Sequence, residues 1–420
     1  MSYIMGLDGL RALSVLVVLC YHAHLPWARG GYLGVEVFFV ISGFLITRLL
    51  VLEHGETGRI SLGRFWFRRF KRLLPALWAI LAGLTLLGAT LPWLKAAQFR
   101  GDLAASFLYV ENWYQIHSGG SYFSDQGLPL LRHIWSLAVE EQFYALWPPL
   151  VVAALWIGRG RRRILALVTF LLAAASAWAF FHLADPDNAS SVQALESMNR
   201  AYLGTDARAC GILLGALLGM VRPPSAPPRP WAKGLIQAWA FLALAGILAL
   251  CGLLDIQNRL LYRGGLLLVD GLTLSLLAVL VLAGPTLLRS ILEWRVLTWI
   301  GKRSYGIYLW HWPVFRLLGP GQTGWTWIAA RWGLSFLLAA LSFALVETPI
   351  REGRLGRWLA QPGTWRRTAR RLAFGATLAG GVAATTWAGV KVHQLPPYVD
   401  EIQESLKANA RALDAGPHAK

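Results

Sequence analysis

The sequence predicts an all-α polytopic membrane protein, and three observations carry that prediction: the composition, a series of apolar runs of bilayer length, and the placement of positive charge between them. Of 420 residues, 56% are hydrophobic, 15% are charged and 21 are tryptophan, which leaves too little polar surface for a water-soluble domain. The formal charge of +18 does not mark a nucleic-acid binder, which gathers Lys and Arg on one soluble face. Here the charge sits between apolar runs, so the expected partner is a lipid bilayer and not nucleic acid.

A hydrocarbon core takes about 20 apolar residues of helix. Eleven runs bounded by charge or proline qualify, at 10–25, 32–52, 74–94, 135–157, 164–183, 205–221, 234–254, 264–284, 304–318, 325–346 and 372–390. With a cytoplasmic N-terminus, this odd number puts the C-terminus on the periplasmic side. The cytoplasmic loops of that scheme (53–73, 158–163, 222–233, 285–303, 347–371) then hold 24 Lys+Arg against 11 in the outer segments, as the positive-inside rule requires. The first run starts close to the N-terminus without a basic leader or a small-residue cleavage site, so it is expected to stay as a helix. The apolar, aromatic stretch 103–116 is too short to cross and reads as re-entrant or interfacial, while 222–230, with five prolines in nine residues, reads as a cytoplasmic linker.

The expected organisation is a ten-span domain over 1–352, a basic cytoplasmic linker at 353–371, an eleventh helix at 372–390 and a polar tail at 391–420, with no second soluble domain and no internal repeat. Cys20, Cys210 and Cys251 each lie inside an apolar run without clustered histidines, so they read as core residues and no metal site is expected.

Ionisable side chains at membrane depth are costly and are read first as functional. Arg11 and His22 share the first run, roughly 16 Å apart along a helix axis, with His22 toward the outer half. A neutral histidine there suits proton abstraction from a hydroxyl, the demand of general-base acyl transfer; a hydrogen-bonded tie between helices is the competing reading. The fourth run opens HIWSLAVEEQFYALWP, which puts Ser136, Glu140 and Tyr144 on one helix face with Glu141 beside them. Either glutamate is expected to orient the His22 imidazole or to pair with an arginine, and a structural salt bridge is the rival for one of them.

In GVEVFFVISGFLIT, Glu36 reads as an outer-end residue facing water, and Ser42 and Gly43 as a site of close helix approach. RFWFRRFKRLLP sets Arg64, Arg68, Arg69 and Arg72 among aromatic rings, a composition suited to gripping the phosphates of an acyl-CoA and equally to an ordinary topology-fixing loop. Arg208 and His311 complete the candidate pocket, and Glu347 and Arg351 in VETPIR read as a helix end.

GLDGLRALSVLVVLCYH, GVEVFFVISGFLIT, RFWFRRFKRLLP, HIWSLAVEEQFYALWP and SYGIYLWHWP, in that order, resemble the membrane-bound acyltransferase family 3 over roughly residues 5–352. The resemblance puts the family's arginine, ten residues, histidine motif on Arg11 and His22, its arginine-rich motif on Arg68, Arg69 and Arg72, and its acidic motif on Ser136, Glu140 and Glu141; Glu36 stands where many relatives have aspartate. It implies a multi-pass protein of the bacterial cytoplasmic (inner) membrane that O-acylates a glycan or similar hydroxyl acceptor. The co-substrate it implies is acyl-CoA, expected as acetyl-CoA, and no cofactor is permanently bound. Some relatives carry a fused esterase-like domain that this sequence lacks, which suggests a separate periplasmic partner or direct contact with the acceptor. Direct transfer and an acyl-histidine both fit the residues. A transporter or flippase of an acylated sugar or lipid is the alternative function, and a structural scaffold the third.

Overall fold

The computed structural model describes residues 4–90, 97–118, 129–188, 191–222, 228–319, 322 and 324–353. Regular structure among them is entirely helical. The first expected run is helix α1 (Leu7–His22), and the second is α2 (Gly34–Thr57). The third begins twelve residues before its apolar part, as α3 (Leu62–Thr90), so the basic segment expected as a loop is the first three turns of this helix. The stretch read as re-entrant or interfacial is a pair of short helices, α4 (Ala97–Phe107) and α5 (Glu111–His117).

The fourth run is α6 (Trp135–Ile157), with the expected bounds, and the fifth is α7 (Arg162–Leu183). An unforeseen helix, α8 (Val192–Leu203), precedes α9 (Thr205–Gly219), and the chain is extended at Gly204 between them. Helix α10 (Pro230–Leu253) starts on the last proline of the linker, where the missing N–H costs nothing. There follow α11 (Leu266–Leu282), the short α12 (Leu287–Leu292) and α13 (Arg295–Leu317). The expected loop 285–303 is therefore mostly helix. Helix α14 (Trp325–Ser342) continues through a wide turn at Phe343–Glu347 into α15 (Thr348–Arg351). The eleventh expected span, most of the basic linker and the tail lie outside the described residues.

Seven helical stretches among the described residues are long and apolar enough to cross a membrane: Gly31–Thr57, Leu62–Gly88, Arg162–Leu183, Val192–Gly219, Trp231–Leu253, Leu261–Leu282 and Trp325–Arg351. Three of the ten expected spans within the described residues are not among them. Helix α1 has 16 residues, α6 carries Glu140, Glu141, Pro148 and Pro149, and α13 carries Lys302, Arg303 and Arg316. These three supply much of the polar lining of the central cavity, so their departure from pure apolarity has a local cause.

Helix α2 packs most extensively against α9, and α1 against α13. The first contact is close because glycines face backbone: a Cβ on Gly43 would strike the Ile212 carbonyl, and one on Gly215 the Val40 carbonyl. Small residues let membrane helices approach at this distance, where dispersion replaces the hydrophobic effect that lipid does not supply.

Candidate active site

A cavity of about 440 Å³ lies between α1, α2, α3, α6, α13 and the end of α14–α15. Helical spacing explains which side chains enter it. On α6, Ser136, Glu140 and Tyr144 recur every four residues and face it together; on α2, Val35, Phe38, Phe39, Ser42 and Leu45 form an apolar wall interrupted by one hydroxyl. That hydroxyl, Ser42 Oγ, donates to Glu140 Oε1 at 2.8 Å, tying α2 to α6. Arg11 reaches the same space from α1, with Asp8 one turn earlier at 4.0 Å.

Of the four arginines expected to hold a donor, Arg69 and Arg72 line the cavity. Arg69 is buried over the Tyr144 ring, at 5.2 Å from its centroid. Arg68 turns outward to Glu53 at 3.4 Å with half its side chain exposed, and Arg64 is exposed. The cause is the helix itself: residues three apart share a face, and the neighbour of an inward residue points about 100° away. Lys302, Glu347 and Arg351 line the cavity as well. Glu347 and Arg351 read from the sequence as a helix end, but the wide turn that precedes α15 brings both inside.

The inner end of the cavity is set by Ser136 and Tyr308, whose hydroxyls lie 2.8 Å apart. Tyr308 Oη also donates to the His133 carbonyl at 2.8 Å, so Ser136 is the donor to Tyr308. From Tyr308 the chain of contacts continues to histidine. His311 Nδ1 lies 2.5 Å from the Tyr308 carbonyl, and His311 Nε2 lies 3.0 Å from His22 Nδ1. A carbonyl only accepts, so His311 carries its proton on Nδ1. With both rings neutral, His311 Nε2 must then accept from His22 Nδ1–H, and the lone pair of His22 is left on Nε2. His22 also packs edge-on against Trp312, at 4.7 Å between ring centroids.

Histidine, not glutamate, therefore bonds the His22 ring. Glu140 is bonded to Ser42, and Glu141 is not among the cavity-lining residues. His22 itself stands behind Tyr308 and His311 rather than in the cavity wall.

Glu36 and Arg208 form a separate site. Glu36 was expected to face water, but it is 1% exposed and ion-paired with Arg208, which is 2% exposed. The guanidinium sits among Phe39, Trp135, Phe180 and Tyr202, between 4.6 and 5.8 Å from their centroids. Asp270 of α11 is buried beside them against Gly211. An aspartate in a leucine-rich run was the signal that would have found it. Asp206, at the mouth of α9, pairs with Arg200 at 2.8 Å. Among the described residues no group of three or more His, Cys, Asp or Glu is placed to hold a metal ion.

Comparison with known proteins agrees with this arrangement of motifs. The family described as an acyltransferase domain matches residues 4–347. The chain is 35% identical over 362 residues to the peptidoglycan O-acetyltransferase OatA of Listeria monocytogenes, covering 84% of this chain and 56% of that protein. It is 36% identical over 358 residues to the O-acetyltransferase OatA of Staphylococcus aureus, covering 83% of this chain and 57% of that protein. The chain thus spans a little over half the length of these curated relatives. No solved structure matches it. On the match over residues 4–347 and the order of its motifs, the chain belongs to the membrane-bound acyltransferase family 3.

Proposed function

We propose that the chain is an integral membrane O-acyltransferase that moves an acetyl group from acetyl-CoA, bound from the cytoplasm, to a hydroxyl of a cell-envelope glycan reached from the periplasm. The names of its relatives favour peptidoglycan as the acceptor. The proposed topology is the eleven-span one, with the N-terminus inside, in the cytoplasmic membrane of a bacterium, and a separate periplasmic partner presents the acceptor.

The observation that carries the reading is the His22–His311 hydrogen bond, anchored on the carbonyl of the cavity residue Tyr308, which leaves the His22 lone pair on Nε2. Arg69 and Arg72 offer positive charge to the phosphates of the donor, and the apolar wall of α2 accommodates its arm. The acceptor hydroxyl gives its proton to His22 Nε2 as its oxygen attacks the thioester carbonyl; the C–S bond breaks, and the leaving thiolate takes up that proton from the imidazolium. His311 holds the His22 tautomer throughout. Arg11 and Glu140, the latter tied to Ser42, line the cavity and set its electrostatics.

Purified protein tests the reading directly. Wild type is expected to release CoA from acetyl-CoA in the presence of a hydroxyl acceptor, and His22→Ala to lower that rate by about 10²–10⁴-fold. Release of CoA by His22→Ala at the wild-type rate would exclude His22 as the base, and no release by wild type would favour a transporter.

A further inference from the structure

Pro313 stands inside helix α13, two residues after His311. A proline has no N–H, so the carbonyl of Leu309, four residues earlier, lacks the donor that a continuous helix would give it, and the pyrrolidine ring crowds that carbonyl. The donor comes from another element. His133 lies on the single 3₁₀ turn Arg132–Ile134 that leads into α6, with its Nε2 3.0 Å from the Leu309 carbonyl oxygen. A carbonyl only accepts, so the His133 proton is on Nε2. Its Nδ1 carries the lone pair and meets no hydrogen-bond partner.

Two more bonds join the same segments. Tyr308 Oη donates to the His133 carbonyl at 2.8 Å, and Trp312 Nε1 donates to the Pro129 carbonyl at 2.7 Å. Together the three bonds tie residues 308, 309 and 312 of α13 to the stretch 129–133. They bracket His311, which is fully buried and bonds the His22 ring. His133 is 2% exposed and packs edge-on against His311, 5.6 Å between ring centroids. Helices bend where a proline breaks the ladder of backbone bonds, and a bend at this point would carry His311 away from His22.

We infer that His133 is a positioning residue for acyl transfer. By donating to the carbonyl that Pro313 leaves open, it holds the 308–312 turn of α13 so that His311 Nε2 stays within reach of His22 Nδ1. His133 takes no proton from the acceptor and touches neither substrate. The role rests on the acyltransferase reading and adds to it a residue that does not line the cavity.

CoA release by the full-length protein in lipid nanodiscs, normalised to folded protein, tests the role. His133→Leu should lower kcat by about 10- to 100-fold and leave the KM for acetyl-CoA within about twofold. His133→Gln places an amide N–H where the imidazole Nε2–H stands and cannot act as a base, so it should retain most of the rate. Its counterpart His133→Asn, with the amide at the Nδ1 position, should be as slow as His133→Leu, and the pair makes the same comparison if the leucine variant does not fold. The deciding variant restores the bond from within α13. Pro313→Ala returns a helical N–H to the Leu309 carbonyl, so adding it to His133→Leu should recover about tenfold in kcat, with a matching gain in thermal unfolding. If Pro313→Ala returns no activity to His133→Leu, or if His133→Leu and His133→Asn both work at the wild-type rate, the positioning role is overturned and the acyltransferase reading stands. No CoA release by wild type overturns that reading and this role with it.

Discussion

At the scale of single residues, the account turns on which nitrogen of His22 is free. Its Nδ1 is committed to His311 and the His311 Nδ1 to a backbone carbonyl, so the order of protons is dictated by the one partner that cannot donate. This predicts a graded series. His311→Asn, which retains an acceptor, should keep more acetyl transfer than His311→Leu, which should lose about 10- to 100-fold in kcat with a smaller effect on the KM for the donor. Equal losses in the two variants would show that His311 acts by packing alone. Glu36 and Arg208 behave differently, because they are sealed away from the cavity. Removing one partner leaves a buried charge, so Arg208→Leu should destabilise by about 3–5 kcal/mol, and adding Glu36→Leu should recover part of that loss in thermal unfolding.

At the scale of elements, the α2–α9 contact and the α4–α5 hairpin make separate predictions. Gly43→Leu or Gly215→Leu drives a side chain into backbone that cannot move aside, and should cost about 1–3 kcal/mol or prevent folding. Gly63→Ala, with open space around the glycine, should be tolerated in the same assay. The hairpin carries Asp102 and Glu111 buried together outside the spanning segments. Burial pushes the Asp102 carboxyl up to about 7, against the pull of Arg132, and burial together with Asp102 pushes Glu111 up as well. A carboxyl raised on folding stabilises the folded state below its ordinary value near 3.8, and that contribution is lost as pH rises to about 7. Thermal stability should therefore fall between about pH 4 and pH 7, and Asp102→Asn should flatten the dependence.

At the scale of the whole molecule, the sequence made the helical class and the site's chemistry legible to different depths. Helix α6 appeared with its bounds intact because Arg132 and His133 precede it and Gly158 and Arg159 follow it, and its four-residue spacing put Ser136, Glu140 and Tyr144 in the cavity as expected. The starts of α3 and α13 were missed because long basic side chains ride on helix beyond the apolar run, where hydropathy reads a loop. Pairings were the least legible. His22 and His311 are 289 residues apart and Glu36 and Arg208 are 172 apart, so spacing along the chain carries no trace of either contact. Glu347 and Arg351 do end a helix, as read, but their entry into the cavity was not foreseen because the wide turn that redirects them leaves no mark in an apolar sequence.

The central claim is that an acetyl group enters from the side of the arginines and leaves on the side of His22. Oriented proteoliposomes test it most directly, with radiolabelled acetyl-CoA trapped on the arginine side and an impermeant hydroxyl acceptor on the other. The account predicts acetylated acceptor only with that arrangement, dependent on His22; acetylation only when both substrates share one side would contradict it.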